Sequence, residues 1–263
     1  MSFIKNSGYY FLILLMTGVL VYFNYYIGLR RIPPIVLYAL PFWAAFALQY
    51  CFFRGLSFHR VRYWWLIVLG APVLFALRTA LPPFPHSLTG RCLGYCARAA
   101  CLVVPVLISG RAPGLRRPLT WRYVWILGLG VLVLVGLAAR QPSFLSFYPR
   151  ARFLAGSPWW KFALFEGCYG LDLFSMEFFF RGLLVVALVT VCGSRAIVPA
   201  AIFYCTVHFG KPMGECISSF FGAVLLGCLA IRTRSIYAGL LLHLELAWGM
   251  ELFSALRLPS LLP

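Results

Sequence analysis

The sequence predicts an all-α fold, a polytopic transmembrane bundle of about eight spanning helices, and three observations support it. Hydrophobic residues make up 62% of the 263 positions and charged residues only 11%, so most side chains could not be buried inside a soluble globule of this size. Apolar runs of about 20 residues, the length that crosses a bilayer as a helix, recur along the chain. The connections between these runs are too short to hold separate folded domains.

Five apolar runs precede the first acidic residue, and each is long enough for one spanning helix. They lie at 9–29, 33–53, 63–80, 91–109 and 121–139. The first run follows Lys5 and lacks a small-residue cleavage site, so we interpret it as a retained span and not as a signal peptide.

The C-terminal helices are harder to delimit, because charges, glycines and prolines interrupt them. We expect apolar segments at 159–192, 196–209, 214–231 and 236–255. An unbroken helix over 159–192 would be about 50 Å long, far more than the hydrocarbon thickness of about 30 Å. We therefore expect this segment to break around Gly167 and Gly170.

Acidic residues distinguish the two parts of the chain. All six lie after residue 158, in sequence as apolar as the first half: Glu166, Asp172, Glu177, Glu215, Glu245 and Glu251. Carboxylates in membrane-spanning sequence serve chemistry or ion pairing. Within one integrated membrane domain, we therefore expect residues 1–158 to be transmembrane helices without a recognised motif and residues 159–263 to be the transmembrane region that carries the polar motifs.

The net charge of +17 would indicate nucleic-acid binding in a soluble protein, but here the basic residues lie in loops between apolar runs. These residues are Arg54, Arg60, Arg62, Arg111, Arg116, Arg117, Arg122, Arg150 and Arg152. Anionic lipid headgroups are the partner that this placement favours, and nucleic acid is not.

Nine cysteines are scattered through apolar segments, and buried free thiols are the default expectation for them. Cys92 and Cys96 are spaced to share a helix face, which leaves a metal or redox pair open as an alternative. They have no histidine or acidic residue near them in the sequence.

The first polar motif of the C-terminal part contains Glu177 and Arg181. These residues are four apart, so on an α-helix they share a face and can form an ion pair. Apolar neighbours make it costly to leave either charge alone in the membrane. The alternative to a functional role is a structural ion pair that fixes helix packing.

The second motif runs from the end of one apolar stretch, at His208, to the start of the next helix. Pro212 is well placed to open that helix, so Glu215 would lie in its first turn, where the helix dipole favours a carboxylate. Lys211 and Glu215 either support a site or only cap and anchor the helix. For His208 we expect a position that faces a cavity.

The third motif places His243 about two helical turns into an apolar segment, where it must find a polar partner. Glu245 points to nearly the opposite face of that helix. Glu251 returns closer to the His243 side, and a supporting role that orients the imidazole is one interpretation.

One carboxylate, one arginine and two histidines thus lie on three successive membrane helices. The arrangement of lowest cost has them facing one another around a common polar cavity. There Glu177 would activate a water molecule as general base. His208 and His243, with Arg181, would stabilise the oxyanion that forms when water attacks an amide carbonyl.

At these residues the sequence resembles the CPBP family of intramembrane proteases, which includes CAAX prenyl endopeptidases and bacteriocin-processing or bacteriocin-immunity proteins. The family has a Glu-Glu-x-x-x-Arg helix, a second helix ending in Phe-x-x-x-His and a third with His-x-x-x-Asn or Asp. Glu177 and Arg181 match the second Glu and the Arg of the first motif. His208 and His243 match the other two histidines. The resemblance covers about 159–255.

The sequence departs from the family pattern at three positions. Met176 stands in place of the first Glu, to which the family assigns water activation, and Ala247 in place of the Asn or Asp. Tyr204 replaces the expected Phe. A strict transfer of roles by position implies an inactive family member, whereas a subfamily that works with Glu177 alone implies an active one. Asp172, one turn before Met176, is a further candidate for the missing carboxylate.

A metal ion is the second open question. Glu177, His208 and His243 would make a two-histidine, one-carboxylate site of the kind that suits zinc or ferrous iron. The sequence has no His-Glu-x-x-His helix, and we favour a mechanism without a metal or other cofactor.

The resemblance implies an integral membrane endopeptidase, of the bacterial cytoplasmic membrane, that hydrolyses a peptide bond of a membrane-anchored protein or peptide. A catalytically inactive scaffold or immunity protein is the alternative. A proton-coupled transporter would use the same buried Glu and His, but it should show broken helices in two corresponding halves. The polar breaks of this chain lie only in its C-terminal part.

Overall fold

The computed structural model describes residues 2–28, 32–53, 64–108, 114–115 and 121–258. Helices dominate these ranges, and no strand occurs within them, which confirms the all-α prediction. The α-helices are α1 (Ser2–Tyr22), α2 (Pro34–Phe52), α3 (Trp64–Thr79), α4 (Leu88–Ile108), α5 (Trp121–Ala138), α6 (Pro142–Phe147), α7 (Trp159–Glu177), α8 (Val189–Cys192), α9 (Ile197–Thr206), α10 (Met213–Thr233) and α11 (Tyr237–Arg257).

Six segments of the described chain are long and apolar enough to cross a membrane. They are Ser7–Ile27, Pro34–Phe52, Leu88–Leu107, Trp159–Thr206, Met213–Thr233 and Tyr237–Arg257. Two shorter apolar helices, Trp64–Thr79 and Val124–Ala138, coincide with two further predicted spans. A helical membrane bundle is therefore confirmed, and the predicted count of eight spans is approximate.

Proline marks the start of several helices. Pro34 and Pro142 are the first residues of α2 and α6, while Pro158 and Pro212 immediately precede α7 and α10. The missing proline N–H costs nothing in a first turn, where that donor has no partner within the helix. The prediction that Pro212 opens a helix is confirmed to within one residue.

The break predicted around Gly167 and Gly170 lies elsewhere. Helix α7 continues through both glycines to Glu177, and a π-helix, Phe178–Val186, follows it directly. The reason lies in packing: a Cβ at Gly170 would lie 3.3 Å from Leu244 and 3.5 Å from Trp248. Gly170 thus lets α11 approach α7 closely. The chain turns instead at Gly193, whose positive φ of 60° suits glycine.

The helices form two compact units, and each unit consists of two separate stretches of the chain. Unit 1 comprises residues 1–80 and 180–234, and unit 2 comprises residues 81–179 and 235–263. The boundary between the units falls within the π-helix. The motif-bearing region predicted at 159–263 therefore contributes to both units.

Unit 1 is organised around Phe203 of α9. Four aromatic rings surround this side chain with centroids 5.2 to 5.6 Å from its own. They belong to Tyr38 and Phe42 of α2, Phe75 of α3 and Phe180 of the π-helix. Such edge-on and tilted ring contacts add to the burial of apolar surface, so they fix the orientation of α9 and of the turn that follows it.

Unit 2 is held together by α11, which packs against both α5 and α7. On α5, a Cβ at Gly128 would meet Glu245, and one at Gly136 would meet Phe253. From the first of these contacts to the second, the residue numbers increase by eight on both α5 and α11, so the two helices run parallel. On α7 the order is reversed, because Gly170 lies against Trp248 and Glu177 against His243. Helices α7 and α11 are therefore antiparallel.

Candidate active site

The centre of the candidate site in unit 2 is a hydrogen bond between Glu177 and His243. The Nδ1 atom of His243 lies 2.9 Å from Oε1 of Glu177. Glu177 is 0% exposed and His243 9% exposed. Glu177 is the last residue of α7, and His243 lies two turns into α11. The antiparallel packing of these helices brings together two residues that are 66 positions apart.

This contact determines both the tautomer and the orientation of the His243 imidazole. An ionised carboxylate only accepts hydrogen bonds, so Nδ1 of His243 is the donor. A carboxylate on one ring nitrogen sets the tautomer and the orientation of a histidine, and it stabilises positive charge on the ring. The polar partner that sequence analysis required for His243 is therefore Glu177.

His208 lies in unit 1, in the turn that follows α9. Its Nδ1 donates to the backbone carbonyl of Tyr204 at 2.9 Å, because a carbonyl can only accept. The ring centroids of His208 and Tyr204 are 4.7 Å apart. The predicted place of His208, at the end of an apolar helix, is confirmed, and the turn continues through Gly210 at a positive φ of 91°.

Tyr204 also contacts Arg181 of the π-helix. The guanidinium carbon lies 4.5 Å from the centroid of the Tyr204 ring, and Arg181 is only 2% exposed. Cation–π contacts of this kind stabilise a buried arginine. In the sequence, Tyr204 stands out only as a departure from the family Phe. Its spacing of four residues from His208 was the available signal that it supports the histidine.

The predicted Glu177–Arg181 pair requires a correction to its local geometry. The shared helix face was inferred for an α-helix, but the residues after Glu177 form a π-helix, in which the turn is wider. An ion pair between the two side chains stays a prediction. Short π-helical segments within α-helices occur frequently at functional sites.

Lys211 and Glu215 form a local ion pair at the start of α10. Nζ of Lys211 lies 2.5 Å from Oε1 of Glu215, and both side chains are partly exposed, at 22% and 15%. Glu215 lies in the first turn of α10, as expected. The hydroxyl of Tyr25 donates to the Lys211 carbonyl at 2.5 Å. These contacts favour the interpretation that the pair anchors the start of the helix.

Glu251 has a different partner from the one that sequence analysis considered. Its Oε1 accepts from the backbone N–H of Arg150 at 2.9 Å, and its Oε2 accepts from that of Ala151 at 3.0 Å. These N–H groups belong to a short 3-10 helix, Arg150–Leu154. Glu251 therefore holds this helix against α11, a structural role, instead of orienting His243.

Two of the loop arginines assigned to lipid headgroups contact the protein. The guanidinium of Arg150 lies over the rings of Tyr169 and Tyr95, at 5.2 and 6.0 Å from their centroids. Arg152 donates to the carbonyls of Leu145 and Tyr148. The arginines at 54, 60, 62, 111, 116 and 117 lie outside the described residues, as does the side chain of Arg122, so lipid binding there stays a prediction.

The positions that depart from the family pattern are apolar and buried. Met176 is 8% exposed, and Ala247 belongs to an apolar cluster with Tyr95, Phe165 and Leu173. Asp172 is also buried, and it interacts electrostatically with Tyr95 and Cys96 of α4. The carboxylate of α7 that contacts His243 is that of Glu177, and a role for Asp172 in place of the missing family Glu stays a prediction.

Metal ligation by Glu177, His208 and His243 stays the alternative prediction. Across the described ranges, no group of three or more His, Cys, Asp or Glu residues is arranged to hold a metal ion. Glu177 and His243 belong to unit 2, and His208 and Arg181 to unit 1. The convergence of all three predicted catalytic residues on one cavity stays a prediction.

Comparison with known proteins bears on the same part of the chain. No curated protein and no solved structure matches it. Residues 158–248 match the family model described as Type II CAAX prenyl endopeptidase Rce1-like. This range includes Glu177, Arg181, His208 and His243, the four residues that carried the resemblance. The match confirms that resemblance over residues 158–248, which are similar to this family of CAAX prenyl endopeptidases.

Proposed function

We propose that this protein is an intramembrane endopeptidase in which the Glu177–His243 pair activates water. The observation that carries the proposal is the buried hydrogen bond of 2.9 Å between these side chains. A carboxylate and an imidazole held together away from bulk solvent are the groups that general acid–base catalysis uses most. The family match, which covers both residues, supports peptide-bond hydrolysis as the reaction.

In the proposed reaction, Glu177 accepts a proton from water while the water oxygen attacks the carbonyl carbon of the scissile amide. His243 donates to Glu177 and so holds the carboxylate in place. The tetrahedral oxyanion is stabilised by His208, which in its protonated form donates from Nε2, and by the charge of Arg181. Glu177 then delivers its proton to the leaving amine, and the C–N bond breaks.

The proposed substrate is a membrane-anchored protein or peptide cleaved near its C-terminus. The matched family model names a CAAX prenyl endopeptidase, so a peptide ending in a prenylated CAAX sequence is the first substrate to test. The same peptide with an alkyl anchor of similar length determines whether prenylation is required. A bacterial cytoplasmic membrane as the location, and a mechanism without a metal ion, are parts of this proposal.

The test compares cleavage by the parent and by substituted proteins in proteoliposomes. Glu177→Gln and His243→Ala should each lower the cleavage rate by about 100-fold or more, since general acid–base groups contribute roughly 10²–10⁴-fold. Glu245→Gln is the matched control on α11, and His86→Ala, at an exposed position, is the control for the histidine. If both site variants cleave at the parent rate while folded and inserted, the proposal is wrong.

A catalytically inactive family member is the second candidate, and one observation favours it. The position of the first family Glu holds Met176, which is buried, and that of the family Asn or Asp holds Ala247, which belongs to an apolar cluster. An inactive scaffold or immunity protein predicts that the parent protein cleaves neither peptide. It also predicts that Glu177→Gln lowers the stability of the protein without changing any hydrolytic rate.

A further inference from the structure

Two cysteines of unit 1 lie next to each other across the α9–α10 hairpin. The Sγ atoms of Cys205 and Cys216 are 3.9 Å apart. Cys205 lies near the end of α9 and Cys216 in the first turn of α10. Cys205 is 2% exposed and Cys216 0% exposed. Neither was singled out by its sequence spacing, because the turn between them has to fold before the thiols meet.

These two thiols lie beneath the turn that carries His208. The backbone N–H of His208 donates to the carbonyl of Cys205, and the Cys205 thiol contacts the carbonyl of Cys216 at 3.5 Å. The hydroxyl of Tyr25 donates to the Lys211 carbonyl of the same turn, and Tyr25 interacts electrostatically with Cys216. A change at either sulfur is therefore transmitted directly to the backbone of this turn.

We propose that Cys205 and Cys216 form a reversible disulfide that restrains the His208 turn and lowers the activity of the site, an inference that rests on the proposed function. A bonded pair of sulfurs is about 2.05 Å apart, so the two Sγ atoms must approach by roughly 2 Å. Rotation about the side-chain bonds of the two cysteines supplies part of this movement, and the hairpin supplies the rest.

The reaction requires a two-electron oxidant, and a lipid-soluble quinone is the class that suits thiols within membrane helices. Two S–H bonds break and one S–S bond forms. The thiols lose two protons and two electrons, and the quinone gains them to become a hydroquinone. Met213 and Phe220, which share the helix face of Cys216, line an apolar groove of about 330 Å³ between α1 and α10. This groove gives an apolar oxidant a route to α10 from the bilayer.

The expected effect on activity follows from the position of His208. Displacing a catalytic group by about 1 Å can cost on the order of 100-fold in rate. The hairpin takes up only part of the 2 Å movement, so we expect about a tenfold loss of cleavage on oxidation. Dithiothreitol should restore the parent rate.

The first arm of the test detects the disulfide without measuring activity. The parent protein in proteoliposomes is treated with a short-chain ubiquinone analogue, alkylated, and digested with chymotrypsin. Cleavage after Phe209 separates residues 205–209 from residues 210–220 unless a disulfide joins them. We expect a joined peptide pair that disappears with dithiothreitol and is absent from Cys216→Ser. If both thiols of the oxidised parent are fully alkylated, the proposal is overturned.

The second arm measures cleavage of the membrane-anchored peptide by the same samples. Oxidation should slow the parent about tenfold and leave Cys216→Ser unaffected, and Cys228→Ser, at an exposed position of α10, should respond like the parent. A disulfide that forms without any change in the parent rate overturns the regulatory role. A parent protein that cleaves no peptide before oxidation refutes the proposed function, while the first arm still decides the disulfide.

Discussion

Substitution of Glu251 by Ala should strongly destabilise the protein without touching the Glu177–His243 pair. The carboxylate of Glu251 accepts two backbone hydrogen bonds, at 2.9 and 3.0 Å, and is only 7% exposed. A hydrogen bond to a charged group contributes about 1.5–3 kcal/mol, and a buried donor left without an acceptor carries a similar cost. Because the N–H of Arg150 is only partly buried, we expect a loss of about 3–4 kcal/mol in the free energy of unfolding.

The free energy of unfolding is measured by titrating SDS into mixed micelles and following helix content by circular dichroism. Glu251→Gln keeps one carbonyl oxygen and should lose about half as much stability as Glu251→Ala. Glu245→Ala is the matched control, a carboxylate of the same helix for which the described residues provide no hydrogen bond; it should stay within about 1 kcal/mol of the parent. Equal stabilities for Glu251→Ala and Glu245→Ala would refute the role that we assign to Glu251.

Three further predictions concern packing, Tyr204 and metal dependence. A Cβ at Gly227 would lie 3.0 and 3.1 Å from two atoms of Ile197, so Gly227→Ala should cost about 1–3 kcal/mol in the same SDS titration. Gly222→Ala meets nothing within 4 Å and should be neutral or slightly stabilising. Tyr204→Phe should cleave within about twofold of the parent, whereas Tyr204→Leu, which removes the ring beneath Arg181, should cleave about 2- to 30-fold more slowly; equal rates for the two would count against this contact. Cleavage should persist after treatment with 1,10-phenanthroline, and a loss that zinc reverses would establish the metal alternative instead.

The sequence was sufficient to predict the helical membrane fold and the residues that form the pair. Runs of apolar residues are a strong signal because the bilayer requires about 20 of them for each span. The first five predicted spans all correspond to observed helices. A polar side chain in such a run must find a partner, and this requirement identifies Glu177 and His243 as candidate site residues from the sequence.

The features that were missed depend on tertiary packing. The residue types at 178–186 do not distinguish a π-helix from an α-helix, since a continuous apolar segment is compatible with both. A glycine such as Gly170 within a long apolar segment suggests a helix break. In the structure the helix continues, and the missing side chain lets Leu244 and Trp248 pack against this position. The partner of Glu251 is a backbone segment about 100 residues away. Because every residue except proline has a backbone N–H group, the sequence does not indicate which of these groups Glu251 binds.

The central claim, that Glu177 and His243 act as one catalytic unit, is tested most directly by combining their substitutions. The rate of peptide cleavage is measured in proteoliposomes for Glu177→Gln, for His243→Ala and for the double variant. Groups that act as a unit show strongly non-additive effects. We predict that the double variant cleaves no more slowly than the slower single variant. A double variant whose loss equals the product of the two single losses would contradict the account.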